Sequence, residues 1–352
     1  MLKRVLGVLA VAVMAVSLTG CSDKPKIPAN TVVAGYVNLE SGVDNLKDIA
    51  EIVIDALPAE MAKEARSNYE ELLKNYEDYL EPCDFKWAAA TVGMDGLMHD
   101  PEVAVAVRCD YTAKTKEGKS LVDVAEMAAF NKQNEHGITI YHILEIGAFV
   151  AFVDEEYIIL SPDAETTVKM VKLYDGDGDT SDAFDELTDI EGDTVARIQT
   201  ADMATIAELL AIREDIEKFG KNCDDEELAE YILDIGQTTL DIELSEDVVG
   251  ATLKVEAGSK YFAMVVEGAF NIVEFANRLG VDVAVAMNPM VKQFGGLFGL
   301  SRRELNSLNF DTSAGSMLRE GMEVDRSGST VTLSFELDTE DVVEKVVETI
   351  IK

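Results

Sequence analysis

The sequence predicts an α+β fold: two similar halves, antiparallel sheets with helices packed on one face. Three observations carry this. Short runs of alternating apolar and polar residues, punctuated by Asp and Gly, read as antiparallel strands. They are grouped strand–strand–helix, which argues against a doubly wound parallel sheet. The order of elements also restarts near residue 189, as an internal duplication would make it.

Taken in chain order, Thr31–Leu39 (TVVAGYVNL) is a strand by its β-branched and aromatic content. Asp44–Leu57 follows as a helix, with Leu46, Ile49, Ile52 and Val53 on one stripe. Pro58 opens a second helix, since proline is tolerated at the first helical position. Met61, Ala65, Tyr69, Leu72, Leu73, Tyr76 and Leu80 recur through it at three- and four-residue steps. That stripe reads as the rim of a core; a tyrosine edge facing a ligand is the alternative. Strands at Phe85–Met94 and Val103–Tyr111 join around Asp95-Gly96, and a helix covers Leu121–Phe130. Strands come next at Ile138–Leu144, Ala148–Val153 and Tyr157–Leu160, the last two turning at Asp154-Glu155-Glu156, before a helix at Glu165–Tyr174.

In the second half, Gly192–Ile198 echoes Asn30–Tyr36 and likewise precedes an amphipathic helix, Met203–Ile212. Leu240, Ile242 and Leu244, then Val249, Ala251, Leu253 and Val255, alternate with polar residues as a hairpin. Lys260–Leu279 is a long apolar helix. A final hairpin turns near Asp325–Gly328, and Asp338 or Thr339 caps a last helix carrying Val342, Val343, Val346, Val347 and Ile350. The chain therefore divides into residues 1–20, a tether at 21–30, a first half at 31–188 and a second at 189–352. One irregular domain whose halves match by chance is the alternative.

Residues 1–20 carry an address. Lys3 and Arg4 precede an apolar run from Val5 to Leu18, the charged, apolar, small-residue order of a secretion signal, too short to be kept as a membrane span. Leu18-Thr19-Gly20-Cys21 closes it and resembles the lipobox of bacterial lipoproteins. The resemblance implies cleavage between Gly20 and Cys21, acyl chains such as palmitate on Cys21, and a body held at a membrane of the cell envelope. An ordinary signal peptide with an accidental cysteine is the plainer alternative. By resemblance to the sorting rule of enteric bacteria, Ser22 in place of aspartate after the cysteine favours the outer membrane, facing the periplasm. The Pro25- and Pro28-containing tether reaches about 30 Å when extended. The body resembles a loose set of uncharacterised bacterial envelope lipoproteins in the run Ala148–Val153, Tyr157–Leu160, Ser161-Pro162-Asp163-Ala164. That resemblance brings no functional residue with it.

Thirty basic residues face 67 acidic ones, a net charge of −37, and removing residues 1–20 with Lys3 and Arg4 makes the body more acidic still. Such a surface repels nucleic acid and anionic headgroups, whose binding depends on Lys and Arg. The charge thus leaves nucleic acid out, while the lipobox resemblance implies the membrane as a partner through the lipid on Cys21, with an envelope protein as a further expected partner. With Cys21 acylated, Cys83, Cys109 and Cys223 remain in an oxidising compartment. Cys83, Phe85 and Trp87 are expected on one strand face, and Val103, Val105, Val107 and Cys109 on the next. Antiparallel pairing would bring Cys83 to Cys109 as a disulfide, with three buried thiols as the alternative.

Asp175-Gly-Asp177-Gly-Asp179-Thr180-Ser181-Asp182-Ala183-Phe184-Asp185-Glu186 resembles a calcium-binding EF-hand loop. The resemblance implies ligands from Asp175, Asp177, Asp179, Ser181 and Glu186, because Ca²⁺ takes six to eight hard oxygens. Thr180 stands where that loop needs glycine, and Asp182 where it packs an apolar side chain. An acidic linker capped by Ser181 or Asp182 is the alternative. His99, His136 and His142 have no metal-ligand spacing, and no nucleophile elbow occurs. No catalytic residue and no cofactor other than Ca²⁺ is assigned. Gln293–Leu300 is a glycine-rich apolar loop, and Ser301–Glu304 after it a capping box that favours an ordinary buried loop; a lip that touches membrane or partner, or closes over a cavity, is the alternative. These features point to a lipid-anchored, non-catalytic binding or scaffold protein. A carboxylate-dependent hydrolase and a calcium-dependent binding module through residues 175–186 are the alternatives.

Overall fold

The computed structural model describes residues 24–96, 100–135, 137–222, 226–278 and 322–343. The expected signal segment with Gly20 and Cys21, His99, His136, Cys223, and the loop and capping box expected at Gln293–Leu300 and Ser301–Glu304 lie outside them.

One antiparallel sheet of twelve strands organises these residues. Its strands are β1 (Thr31–Asn38), β2 (Trp87–Gly93), β3 (Glu102–Arg108), β4 (Asn131–Glu135), β5 (Ile138–Ile143), β6 (Ala148–Val153) and β7 (Tyr157–Ser161) in the first half. The second half supplies β8 (Thr194–Thr200), β9 (Thr238–Leu244), β10 (Val248–Glu256), β11 (Met322–Ser327) and β12 (Thr330–Asp338). The helices are α1 (Leu39–Ala56), α2 (Ala59–Tyr79), α3 (Leu121–Ala128), α4 (Ala164–Tyr174), α5 (Met203–Leu209), α6 (Arg213–Asn222), α7 (Glu226–Leu233) and α8 (Lys260–Arg278).

Across the sheet the order is β11-β12-β10-β9-β8-β1-β2-β3-β7-β6-β5-β4. β1 and β8 pair at the seam, Gly35 opposite Ile198. Outward from the seam both halves run alike: first strand, then a hairpin, then the second and first strands of a later hairpin. The class is α+β with two similar halves, and the sheets expected separately are one continuous sheet.

The helices occupy both faces, not one. On the front face lie α1, α3 and α8; on the back, α4 packs under β3, β5, β6 and β7. The cause is composition. β2 (WAAATVG), β3 (EVAVAVR) and β6 (AFVAFV) are apolar on both sides, so both faces need cover. The back core gathers Trp87, Ala89, Ala106, Ile140, Ala151 and Ile159 with Val168, Met170 and Tyr174 of α4. In the second half the strands alternate, with Leu240, Ile242, Ala251, Leu253, Leu333 and Phe335 to the front and Asp241, Glu243, Lys254 and Glu336 to the back.

Several elements depart from the sequence reading. α1 begins at Leu39, not Asp44, because the Asn38 side chain accepts hydrogen bonds from the Glu40 and Ser41 amides and caps it. Cys83, Phe85 and Trp87 do not share a strand face. Residues 81–83 form a 3₁₀ turn and Asp84 takes a left-handed conformation (φ 47°), which leaves Cys83 and Phe85 in the front cluster and Trp87 in the back one. β4 (NKQNE) and α6 (REDIEKFGKN) carry too few apolar residues to show a period, and the sequence reading has neither.

Candidate functional site

The front face of the first half holds the largest apolar space among the described cavities. α1 presents Val43, Leu46, Lys47 and Ala50, spaced i, i+3, i+4, i+7, and α2 answers with Tyr69, Leu72, Leu73, Tyr76, Tyr79 and Leu80. Such stripes normally close on each other. Here they stand apart around about 710 Å³, and of the α2 side chains described, Tyr76 alone is buried. Leu72 is 54% exposed at the rim.

A second apolar space of about 280 Å³ lies deeper, between the sheet and α3. Its floor is Val105, Val107, Val150, Phe152, Ile158 and Leu160; its roof is Leu121, Val124, Ala125 and Ala128. Leu80, just past the end of α2, lines both spaces. The roof is held by a capping box, in which the Asp123 amide donates to Ser120 Oγ (3.2 Å) and the Ser120 amide to Asp123 Oδ2 (2.7 Å). Bonds from Lys114 and Ser120 hold the Asp123 carboxyl well below its ordinary value.

Polar groups gather at the outer rim. Lys47 Nζ sits 3.2 Å from Asp44 and 5.6 Å from the Tyr76 ring centre. Tyr69 donates to the Lys47 carbonyl (3.3 Å) and Tyr79 to Glu117 (3.1 Å). The tyrosine edge noted in the sequence thus borders the outer space.

Cys83 and Cys109 lie in the same front-face cluster, behind the cavity wall of Leu80, Phe85 and Val107, and both are free thiols. The Asp110 amide donates to the Cys83 carbonyl (2.6 Å), which holds the two cysteine segments together. Burial pushes the Cys83 thiol up to about 11 and Cys109 well above the ordinary range, so neither is a ready thiolate at neutral pH.

The Asp175–Glu186 loop lies on the back face. Its backbone is bound to residues 27–29, which the sequence reads as part of a free tether but which dock on the body because Ile27 is buried: the Ala29 amide donates to Asp179 O (3.1 Å), the Ser181 amide to Ile27 O (2.9 Å), and Pro28 bridges Thr180. Ser181 caps the short turn 182–184 by accepting from the Ala183 amide. Asp175, Asp177, Asp179 and Glu186 are exposed, and among the described residues no three His, Cys, Asp or Glu side chains converge as metal ligands. Asp177 and Asp179 border a back-face cavity of about 330 Å³, where Glu102 bonds Asn30 (3.1 Å) and Lys169. A more polar cleft of about 340 Å³ collects Asp84, Asp110, Asp154, Glu155 and Glu156 around Lys86 and Arg108, with Lys86–Asp84 at 2.6 Å and Arg108–Glu156 at 3.3 Å. His142 stacks on Phe149, ring centres 4.4 Å apart. Among the described residues no helix is long and apolar enough to cross a membrane.

No protein-family model and no curated protein matches the chain. Among solved structures, crystal forms III and I of TP0453 superpose with TM-scores of 0.39 and form IV with 0.40, at 9–10% identity. They cover 93% of this chain and 97–99% of their own. Superposition at that level carries no weight for function.

Proposed function

We propose that the protein is a lipid-anchored, non-catalytic binding protein of the cell envelope, held through Cys21 at the periplasmic side of the outer membrane. The observation that carries the binding role is the two-part apolar cavity on the front face. Its walls offer apolar contact and, Lys47 and the rim tyrosines aside, no ionisable side chain, which suits holding a ligand better than transforming one. The anchor rests on the Leu18–Cys21 motif. A division of labour follows, with the lipid fixing place and the front face doing the binding. The calcium and hydrolase readings stand behind this one: residues 179–181 of that loop pair with residues 27–29, and Asp84 and Glu156 of the polar cleft are paired with Lys86 and Arg108.

The test uses intact cells. Wild-type protein is expected to incorporate labelled palmitate and fractionate with membranes, and Cys21→Ser to lose both. Crosslinking of the anchored protein then identifies what it holds. Wild-type protein that takes up no palmitate and stays in the soluble fraction would remove the anchor.

A further inference from the structure

Resting on that binding role, we infer that the two apolar spaces form one channel for the hydrocarbon chain of a single-chain lipid with an anionic head. Leu80 belongs to the wall of both, so the spaces adjoin, and together they offer about 1,000 Å³. That is the upper end of the roughly 300–1,000 Å³ typical of small-molecule sites.

The lining selects the ligand. Every residue around the inner space is apolar, so a polar atom carried there would lose its water and find no partner. What enters is therefore hydrocarbon. Its 280 Å³ is also too small for a docked helix, which occupies about 500 Å³ per turn at a diameter of roughly 10–12 Å. A flexible chain fits where a peptide element does not.

The head stays outside. Among the described lining residues Lys47 is the one cation, and it stands at the rim of the outer space. Asp44 already shares that ammonium at 3.2 Å, and its remaining protons offer a carboxylate or phosphate a local hydrogen bond against the repulsion of the chain's net charge of −37.

The protein's own anchor starts on the other face. Lys24 is bound on the back face to Asp185 O (2.6 Å) and Asp189 (3.2 Å), and Lys26 to Tyr174 O (2.6 Å). Ile27 is buried there against Phe184 and Leu187. Three residues lead from Lys24 back to Cys21, a reach of about 10 Å. The anchor therefore starts from the face of the sheet opposite the channel.

The experiment is a titration of the mature protein with cis-parinaric acid, whose fluorescence rises on burial. Saturated fatty acids of eight to sixteen carbons then compete for the site. Affinity is expected to rise about fourfold per added methylene, the equivalent of ~0.8 kcal/mol, until the channel is filled. Ala125→Trp, which fills the inner space, should abolish the gain for the longer acids and spare the shorter ones. Leu72→Asp, at an exposed rim position, should weaken all of them and serves if the tryptophan variant does not fold. Lys47→Gln should weaken dodecanoate several-fold and leave dodecanol unchanged. Native mass spectrometry of protein recovered from cells tells a fatty acid from a lysophospholipid. No fluorescence change, or affinity independent of chain length, overturns the acyl site even if Cys21 anchors the protein as proposed. Cleavage of the bound lipid during incubation would instead overturn the non-catalytic role and leave the acyl site in place.

Discussion

Glu243 shows how much one side chain feels of its surroundings. It lies on the back face of β9, in register with Gly250 of β10, which in turn faces Glu336 of β12. Partial burial first, then the charges of Glu336, Asp241 and Asp193, raise its pKa. A carboxyl whose folded value is raised lends stability that is complete below the unfolded value near about 4.3 and lost as pH rises through the folded one. Glu243→Gln should therefore melt higher than wild type at pH 7 and show no advantage at pH 4, as calorimetry at the two values would record. Asp241 is a neighbour on the same strand, but Glu336 of β12 and Asp193 just before β8 arrive through strand pairing, so composition announces acidity without saying where it concentrates. Arg197 is the opposite case: it forks onto Asp241 at 2.6 and 2.9 Å, and that partner too is supplied by strand register.

At the scale of elements, the cap of α3 is small and well placed. Ser120→Ala removes the acceptor for the Asp123 amide and should cost about 1 kcal/mol, lowering the melting midpoint by about 2–4 °C. Unchanged melting would mean that packing on the sheet, not the cap, holds the roof of the inner space. Elements of this kind were legible when apolar period and turn residues agreed, as in α4, β6 and β12. They were not legible where backbone pairing alone makes the strand. β4 has five polar residues and exists because it hydrogen-bonds along β5, in the manner of a charged edge strand that discourages further pairing. The cavity was half legible: Leu46, Tyr69, Leu72, Leu73, Tyr76 and Leu80 all fell on helical stripes. The gap between those stripes depends on how far two helices stand apart, which no periodicity records. The 175–186 loop was legible as a spacing of oxygens, but that spacing does not reveal that residues 179–181 pair with residues 27–29.

For the whole molecule, the seam between β1 and β8 sets the terms. The two halves share one sheet, so neither has both of its edges finished without the other. We expect residues 24–188 produced alone to expose the β1 edge and to self-associate through it, seen as a dimer or larger species in size-exclusion chromatography. A folded monomer would show that the first half closes without its neighbour. The same seam imposes a schedule on synthesis. β1 is the first strand made, yet it occupies the middle of the finished sheet and waits for residues 194–200 before its second side is satisfied. At roughly 5–20 residues per second that wait lasts on the order of ten to thirty seconds. Through it the nascent chain carries an open template for the wrong strand, so its yield should depend on a holding chaperone more than its final stability would suggest.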